Sequence, residues 1–156
     1  MIARWNQGRA EVDRLIAEGR VDRVSASRDL ADLMIAQSRA HLLSASALLA
    51  TDVTGAFQLA YDGARKALAA ILANEGLRTK GAGAHATLLE VVMAQLHPPL
   101  GPTFESFDWM RRLRNTTEYP DAEKPIAEAA DVTDAIAAAT RIVDAAEQML
   151  PNMPVY

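Results

Sequence analysis

The sequence contains no cysteine, few aromatic residues and no long hydrophobic run, and each of these absences excludes a class of protein. Without cysteine the chain carries no disulfide scaffold, thiolate zinc site or cysteine nucleophile, which fits a reducing cytoplasmic compartment. Aromatic residues make up only 5% of the chain, whereas 31 of its 156 residues are alanine, which favours closely packed helices over an all-β fold. No window approaches the roughly 18 apolar residues of a membrane span, so we expect no membrane partner.

The net charge of −4 conceals an uneven distribution of charge along the chain. Residues 1–117 hold 14 basic and 12 acidic side chains, whereas residues 118–156 hold 2 basic and 8 acidic ones. A broadly basic nucleic-acid-binding protein is therefore disfavoured, because such domains usually carry a clear positive excess, but a local basic site fits these numbers. The first residues mix both charges and lack a hydrophobic signal region, which adds to the expectation of a cytoplasmic protein.

Apolar residues that recur every three or four positions predict six helices. Their expected ranges are 3–18, 27–50, 54–75, 84–96, 103–118 and 126–149. Ser25 or Ser27 is expected to cap the second helix and Thr103 the fifth. Short connections imply antiparallel neighbours, so we expect an all-α, up-down bundle of four to five core helices plus a short N-terminal helix, without β-strands. The expected organisation is one domain over residues 1–156, with an N-terminal extension (1–24), the bundle (25–150) and a tail (151–156).

The predicted fifth helix carries an apolar stripe that ends in an arginine. Phe104, Phe107, Met110 and Arg114 recur every three or four positions and therefore share one side of this helix. A guanidinium beside an apolar face is costly to desolvate unless it is paired. Arg114 is therefore either a cation that binds a ligand or a structural arginine paired with an acid such as Asp62.

Polar residues next to Arg114 extend this candidate site. Asn115 offers both a donor and an acceptor, and Tyr119 offers a hydroxyl at the helix end. Arg111 and Arg112 are candidates for contacts with phosphate groups. The alternatives are an Asn115 that satisfies backbone groups, a Tyr119 whose ring packs in the core, and arginines that are only solvated helix charges.

The three histidines do not have the spacing of a metal site. They form neither an i, i+4 pair nor an HExxH motif, so we expect no metal and no cofactor. His85 follows a glycine-rich basic loop over residues 78–83, which lacks the P-loop pattern. This histidine is either a phosphate-binding residue or a structural hydrogen-bonding residue near a helix start.

Three short motifs occur in a consistent order along the chain. The stretch 60–68 reads AYDGARKAL, the stretch 81–85 reads GAGAH, and the stretch 114–119 reads RNTTEY. Together, over roughly residues 27–150, they resemble the AYxxARxAL helix, the G-x-H loop and the Arg-polar-spacer-His signature of HEPN domains, which are small α-helical bundles of prokaryotic toxin–antitoxin and defence systems. Tyr119 stands where the family signature has histidine, which resembles an RNxxxY sub-pattern.

This resemblance implies a homodimer in which two Arg-Asn segments form a composite cleft that binds RNA and cleaves it without a metal ion. Arg114 would stabilise the phosphate, Asn115 would orient it, and Tyr119 would donate a hydrogen bond or stack on a base. The candidate catalytic residues are thus Arg114, Asn115 and Tyr119, and the candidate RNA- or phosphate-binding residues are Arg111, Arg112 and His85.

The tyrosine in the signature also motivates two other expectations. A tyrosine with an ordinary pKa of about 10 is a poor general base at neutral pH. The protein is therefore alternatively a non-catalytic HEPN-like module that binds a nucleotide or a cognate toxin or antitoxin protein. The third expectation is a helical interaction protein in which Arg114 is purely structural.

Overall fold

The computed structural model describes residues 5–156, which form six α-helices and one pair of short strands. In chain order the elements are α1 (Arg9–Ala17), β1 (Val21–Arg23), α2 (Arg28–Leu48), α3 (Val53–Glu75), β2 (Leu77–Thr79), α4 (Ala84–Leu96), α5 (Gly101–Glu118) and α6 (Ala129–Met149), and a 3-10 turn over Leu150–Asn152 follows. The helical bundle predicted from the sequence is confirmed. The first positions of the predicted 3–18 helix lie outside the described residues, and the helix itself begins at Arg9.

Helix α3 forms the centre of the bundle. It packs most extensively against α2 and α6 and also contacts α4 and α5. Tyr61, Leu68 and Ile71 on this helix are fully buried. The glycine at position 63 of α3 lets α2 approach α3 closely. A Cβ atom at Gly63 would lie only 3.1 Å from Leu42 and 3.2 Å from the Ser38 carbonyl oxygen. The high alanine and glycine content of these helices therefore serves close helix packing.

Polar side chains define the beginnings of the two longest neighbouring helices. The Ser27 hydroxyl accepts a hydrogen bond from the Leu30 amide at 3.0 Å, as predicted for α2. The Asp52 carboxylate accepts one from the Gly55 amide at 2.9 Å and starts α3. Gly76 ends α3 with a φ of 82°, a left-handed conformation that favours glycine.

Two predicted helix starts are wrong. Helix α5 does not begin with a Thr103 cap but at Gly101, because Pro102 fits the first helical turn, where its missing amide donor is not needed. Helix α6 begins at Ala129 rather than near residue 126, because Glu128 and Asp131 form a reciprocal capping box at this position.

The expectation of a chain without strands is also wrong, because β1 and β2 form an antiparallel pair. Val21 lies opposite Thr79, and Arg23 lies opposite Leu77. The left-handed Gly76 makes the turn that brings β2 alongside β1, and its carbonyl accepts a hydrogen bond from the Val24 amide at 2.8 Å. This strand pair holds the start of the glycine-rich loop in place and thereby positions the first turn of α4.

The C-terminal tail packs on α1 and on the end of α3. Met153 is buried, and the Tyr156 amide donates to the Glu75 carbonyl at 2.9 Å. The Tyr156 hydroxyl donates to the Asp13 carboxylate at 2.5 Å, and the Arg9 guanidinium lies 4.5 Å from the centre of the Tyr156 ring. Among the helices described above, none is long and apolar enough to cross a bilayer.

Candidate functional site

A buried tyrosine of α3 holds the histidine at the start of α4. The Tyr61 hydroxyl lies 2.7 Å from Nδ1 of His85, and the two ring centres are 5.9 Å apart. Phe107 of α5 stacks on the Tyr61 ring with the ring centres 5.3 Å apart, so three helices contribute to fixing this pair. Packing therefore sets the orientation of the imidazole, and no hydrogen bond within residues 5–156 uses its other ring nitrogen, Nε2.

The surroundings of this pair keep both rings uncharged near neutral pH. Burial raises the pKa of Tyr61 to about 12, so its hydroxyl retains its proton. Burial also lowers the pKa of His85, and the positive charges of Arg65, Arg114 and Arg111 lower it further. His85 is therefore a neutral imidazole that can accept a proton.

The Arg114 side chain lies over the Tyr61 ring. Its guanidinium carbon is 5.7 Å from the ring centre, and its Nε donates to the Gln58 side-chain oxygen at 3.3 Å. The suggested partner Asp62 instead pairs with Arg65 at 3.0 Å. Because no carboxylate of the described chain forms a salt bridge with Arg114, its positive charge is not neutralised within residues 5–156.

The other two arginines of α5 share one carboxylate. Arg111 and Arg112 contact the Asp108 side chain at 3.1 Å and 2.5 Å, respectively. The Nε of Arg111 is buried and has no hydrogen-bond partner within the described residues. Arg112, by contrast, is exposed on the outer side of the helix.

A cavity of about 330 Å³ lies between the first turn of α4 and the C-terminal half of α5. We call it the α4–α5 cavity, and its lining residues are Gly81, Gly83, Ala84, His85, Ala86, Arg111 and Asn115. Gly83 precedes α4 without a side-chain cap, so the first amide groups of α4 stay available to a ligand. An anion in this cavity would meet a helix N-terminus, one guanidinium and one amide side chain.

The residues suggested by the sequence do not all lie at this cavity. His85, Arg111 and Asn115 line it, and Arg114 lies beside Asn115 with a 3.5 Å contact between their side chains. Tyr119 directly follows the last residue of α5 and is 73% exposed. Its hydroxyl forms no hydrogen bond with any part of the chain that the structure describes.

Two residues near the site were missed by sequence reasoning. Gln58 accepts a hydrogen bond from the Arg114 guanidinium. The sequence feature that could have pointed to Gln58 is its position one turn before Tyr61 on the same helix. Tyr61 belongs to the AYDGARKAL motif, but the motif does not show that its hydroxyl contacts a histidine 24 residues later. Within residues 5–156 no group of three or more His, Asp or Glu side chains is arranged to hold a metal ion.

The comparison with protein-family models agrees with this architecture. The model described as HEPN domain matches residues 31–149, which cover helices α3, α4, α5 and α6 in full and most of α2. No curated protein and no solved structure gives a significant match. Since the matched region is more than half of the chain and contains the helices that build the site, this protein belongs to the HEPN domain family.

Proposed function

We propose that this protein binds RNA at the α4–α5 cavity and cleaves it there without a metal ion. The observation that carries the proposal is Arg114, a half-buried cation without a carboxylate partner in the described chain, next to the neutral Tyr61–His85 pair. A partly desolvated guanidinium is most stable beside an anion, and a phosphate diester presents two oxygens that fit its donors. Asn115 and the first amide groups of α4 supply further donors to the same phosphate.

His85 is the residue that we assign to proton transfer. The Tyr61 hydroxyl lies 2.7 Å from Nδ1. The reaction uses the tautomer in which Nδ1–H donates to this hydroxyl oxygen, so that Nε2 carries the lone pair and takes the proton of a ribose 2′-hydroxyl. The 2′-oxygen attacks the adjacent phosphorus, and the bond from phosphorus to the 5′-oxygen breaks. The imidazolium then returns its proton to the leaving 5′-oxygen, so the products are a 2′,3′-cyclic phosphate and a 5′-hydroxyl end.

The cations of α5 act on the charge that builds up during this step. Arg114 and Arg111 stabilise the additional negative charge on the phosphate oxygens, and Asn115 orients the phosphate. Tyr119 is exposed and suits stacking on a neighbouring base better than proton transfer. This division of roles explains why a tyrosine in the signature is compatible with cleavage, since the base lies on another helix.

The reaction predicts RNA cleavage in the presence of EDTA. The purified protein should convert single-stranded RNA to fragments with 2′,3′-cyclic phosphate ends, as identified by mass spectrometry. The rate should rise with pH as His85 loses its proton and should level off near or below neutral pH, because burial lowers the His85 pKa from its ordinary value of 6.5. His85→Gln should abolish this pH-dependent cleavage while leaving RNA binding in place.

Two results would contradict this reaction. Cleavage that stops on addition of EDTA would show that a metal ion is required. Equal cleavage by the wild-type protein and by His85→Gln would indicate either a contaminating nuclease or another base. A melting curve followed by circular dichroism controls for folding, since His85 contacts the buried Tyr61.

A second candidate function is RNA or nucleotide binding without turnover. The observation that favours it is the exposed position of Tyr119, which lies at the signature position of the catalytic histidine. In that case the protein should bind RNA with an affinity that falls with rising salt, and no cyclic phosphate should form. The setting that we propose for either function is a cytoplasmic toxin–antitoxin or defence system with a cognate protein partner.

We also propose that the protein acts as a homodimer. Exposed leucines on α2, such as Leu33 and Leu43, supply apolar surface for a contact between two copies. Light scattering at micromolar concentration should give twice the chain mass of 16.8 kDa. A mass of one chain at every concentration tested would refute the dimer without affecting the α4–α5 cavity.

A further inference from the structure

A second cavity lies on the other side of His85. It has a volume of about 550 Å³ and lies between α2, α3, β2 and the start of α4. We call it the α2–α3 groove, and its walls are largely apolar, with Leu30 and Met34 from α2 and Ala69 and Leu72 from α3. This volume is in the range of small-molecule sites and exceeds what a single nucleobase needs.

The α2–α3 groove and the α4–α5 cavity are adjacent. Ala84 and His85 line both, so the imidazole forms part of the wall between them. The α4–α5 cavity is polar, with Arg111 and Asn115, whereas the α2–α3 groove has largely apolar walls that also include Arg65 and Arg78. A ligand that spans both must therefore join an anionic group to a flat or apolar group over a short distance.

The rim of the α2–α3 groove carries polar groups that are free to contact a ligand. The hydroxyls of Ser25 and Thr79 line the groove, and neither forms a side-chain hydrogen bond with any residue from 5 to 156. Arg78 also lines it, and its nearest carboxylate, Asp22, is 3.7 Å away and also binds Lys80 at 2.7 Å. Such a rim can bind the polar edge of a base whose faces lie against apolar side chains.

We propose that the α2–α3 groove is a base subsite, so that one nucleotide unit binds with its phosphate in the α4–α5 cavity, its ribose at His85 and its base against Leu30 and Met34. This inference rests on the proposed function, since it takes the phosphate position from it. Only an unpaired base can enter the groove, because a paired base is stacked and covered on both sides. The ligand is therefore a free nucleotide or an unpaired nucleotide of an RNA chain.

The test compares ligands that differ only in the base. Titration calorimetry at low salt would measure binding of the four ribonucleoside 5′-monophosphates and of ribose 5-phosphate, which has the same phosphate but no base. A short 2′-O-methyl RNA, which resists cleavage, would be measured as a single strand and annealed to its complement. At least one nucleotide, or the single strand, should bind about tenfold more tightly than the matching ligand without an accessible base.

Filling the groove should remove this preference. Ala69→Leu adds bulk at a half-buried groove position and keeps a good helix former, and Ala137→Leu makes the same change on the exposed face of α6. Ala69→Leu should lose the tenfold preference but still bind ribose 5-phosphate, whereas Ala137→Leu should behave as the wild type. Leu30→Ala, at an exposed position, is a second groove variant and should weaken the preference with little effect on folding.

The outcomes separate this inference from the proposed function. A preference in the mononucleotide series alone assigns the groove to a free nucleotide, and a preference for the single strand assigns it to RNA. If RNA is bound and cleaved but neither ligand series shows a base preference, the base subsite is refuted and the proposed function stands. The same conclusion follows if Ala69→Leu retains the base preference of the wild type. If Ala69→Leu instead changes the oligomeric mass, the groove belongs to an interface and the inference fails. If no phosphate-bearing ligand binds, the proposed function fails as well.

Discussion

Replacing Arg114 with alanine is expected to reduce RNA cleavage by a factor of at least about one hundred. The guanidinium lies over Tyr61 and beside Asn115 without a carboxylate partner in residues 5–156, so its charge is available to the phosphate. Donors aimed at a developing negative charge act mainly on the transition state, and the loss should therefore appear in kcat more than in KM. Single-turnover cleavage of a labelled RNA oligonucleotide measures it.

A matched control for this variant is Arg141→Ala. Arg141 is exposed on α6 and forms no salt bridge within the described part of the chain, so its removal changes the net charge by the same amount. Its effect on cleavage should be small, and Arg114→Lys should fall between the two, because a lysine keeps the charge but loses the paired donors. Equal cleavage by Arg114→Ala and Arg141→Ala would refute the role of Arg114.

The same pair of variants distinguishes catalysis from binding. The logarithm of the RNA affinity falls with the logarithm of the salt concentration, and each lost phosphate contact should reduce the magnitude of this slope by about one. Arg114→Ala should show this decrease and Arg141→Ala should not. A decreased slope in a protein that cleaves no RNA would favour the non-catalytic candidate, whereas an unchanged slope would place the RNA elsewhere on the surface.

The helices were predictable because their signals are local. Alanine-rich segments with apolar residues every three or four positions define α2, α3 and α4 to within two residues at each end. The strand pair was not predictable, because a strand of three residues, such as Val21–Arg23, is too short to show a period of two. The start of α5 was missed because Pro102 was expected to precede the helix, although proline also fits a first turn.

The candidate site was only partly predictable, for a related reason. Arg114 and Asn115 are consecutive residues of α5, so the sequence itself places them side by side. The contact between Tyr61 and His85 depends on how α3 and α4 pack, which no spacing along the chain reveals. Tyr119 is five residues beyond Arg114, but it ends the helix, and its ring points into solvent rather than to the cavity.

The ionisable group that we expect to control stability, Glu75, is not the proposed catalytic base, His85. The neutral His85 lies at the α4–α5 cavity, where solvent and a ligand can reach it. Glu75, in contrast, is only 1% exposed at the end of α3, where its carboxylate accepts a hydrogen bond from the Gln95 amide at 2.6 Å. The second carboxyl oxygen of Glu75 and the side-chain oxygen of Gln95 have no partner in the described residues. Protonation removes the buried charge and turns one carboxyl oxygen of Glu75 into a hydrogen-bond donor.

Glu75→Gln is therefore expected to stabilise the protein at alkaline pH. Burial raises the pKa of Glu75 from 4.5 to about 7, so the folded state holds this proton more tightly than the unfolded state. The stabilisation from the protonated carboxyl is complete below about pH 4.5 and is lost as the pH rises through 7. At pH 8 the ionised carboxylate should reduce the free energy of unfolding by about 3 kcal/mol, which the neutral glutamine avoids.

Urea denaturation at pH 5 and pH 8, followed by circular dichroism, measures this effect. Glu75→Gln should gain about 2 to 3 kcal/mol relative to wild type between the two pH values, since part of the effect is already present at pH 5. Glu105→Gln, the same change at an exposed position without a salt bridge in residues 5–156, should gain almost none. Because the three proteins share all their other ionisable groups, the contribution of those groups cancels in the comparison. If Glu75→Gln and wild type lose stability equally between pH 5 and pH 8, Glu75 is ionised at no cost and the raised pKa is wrong.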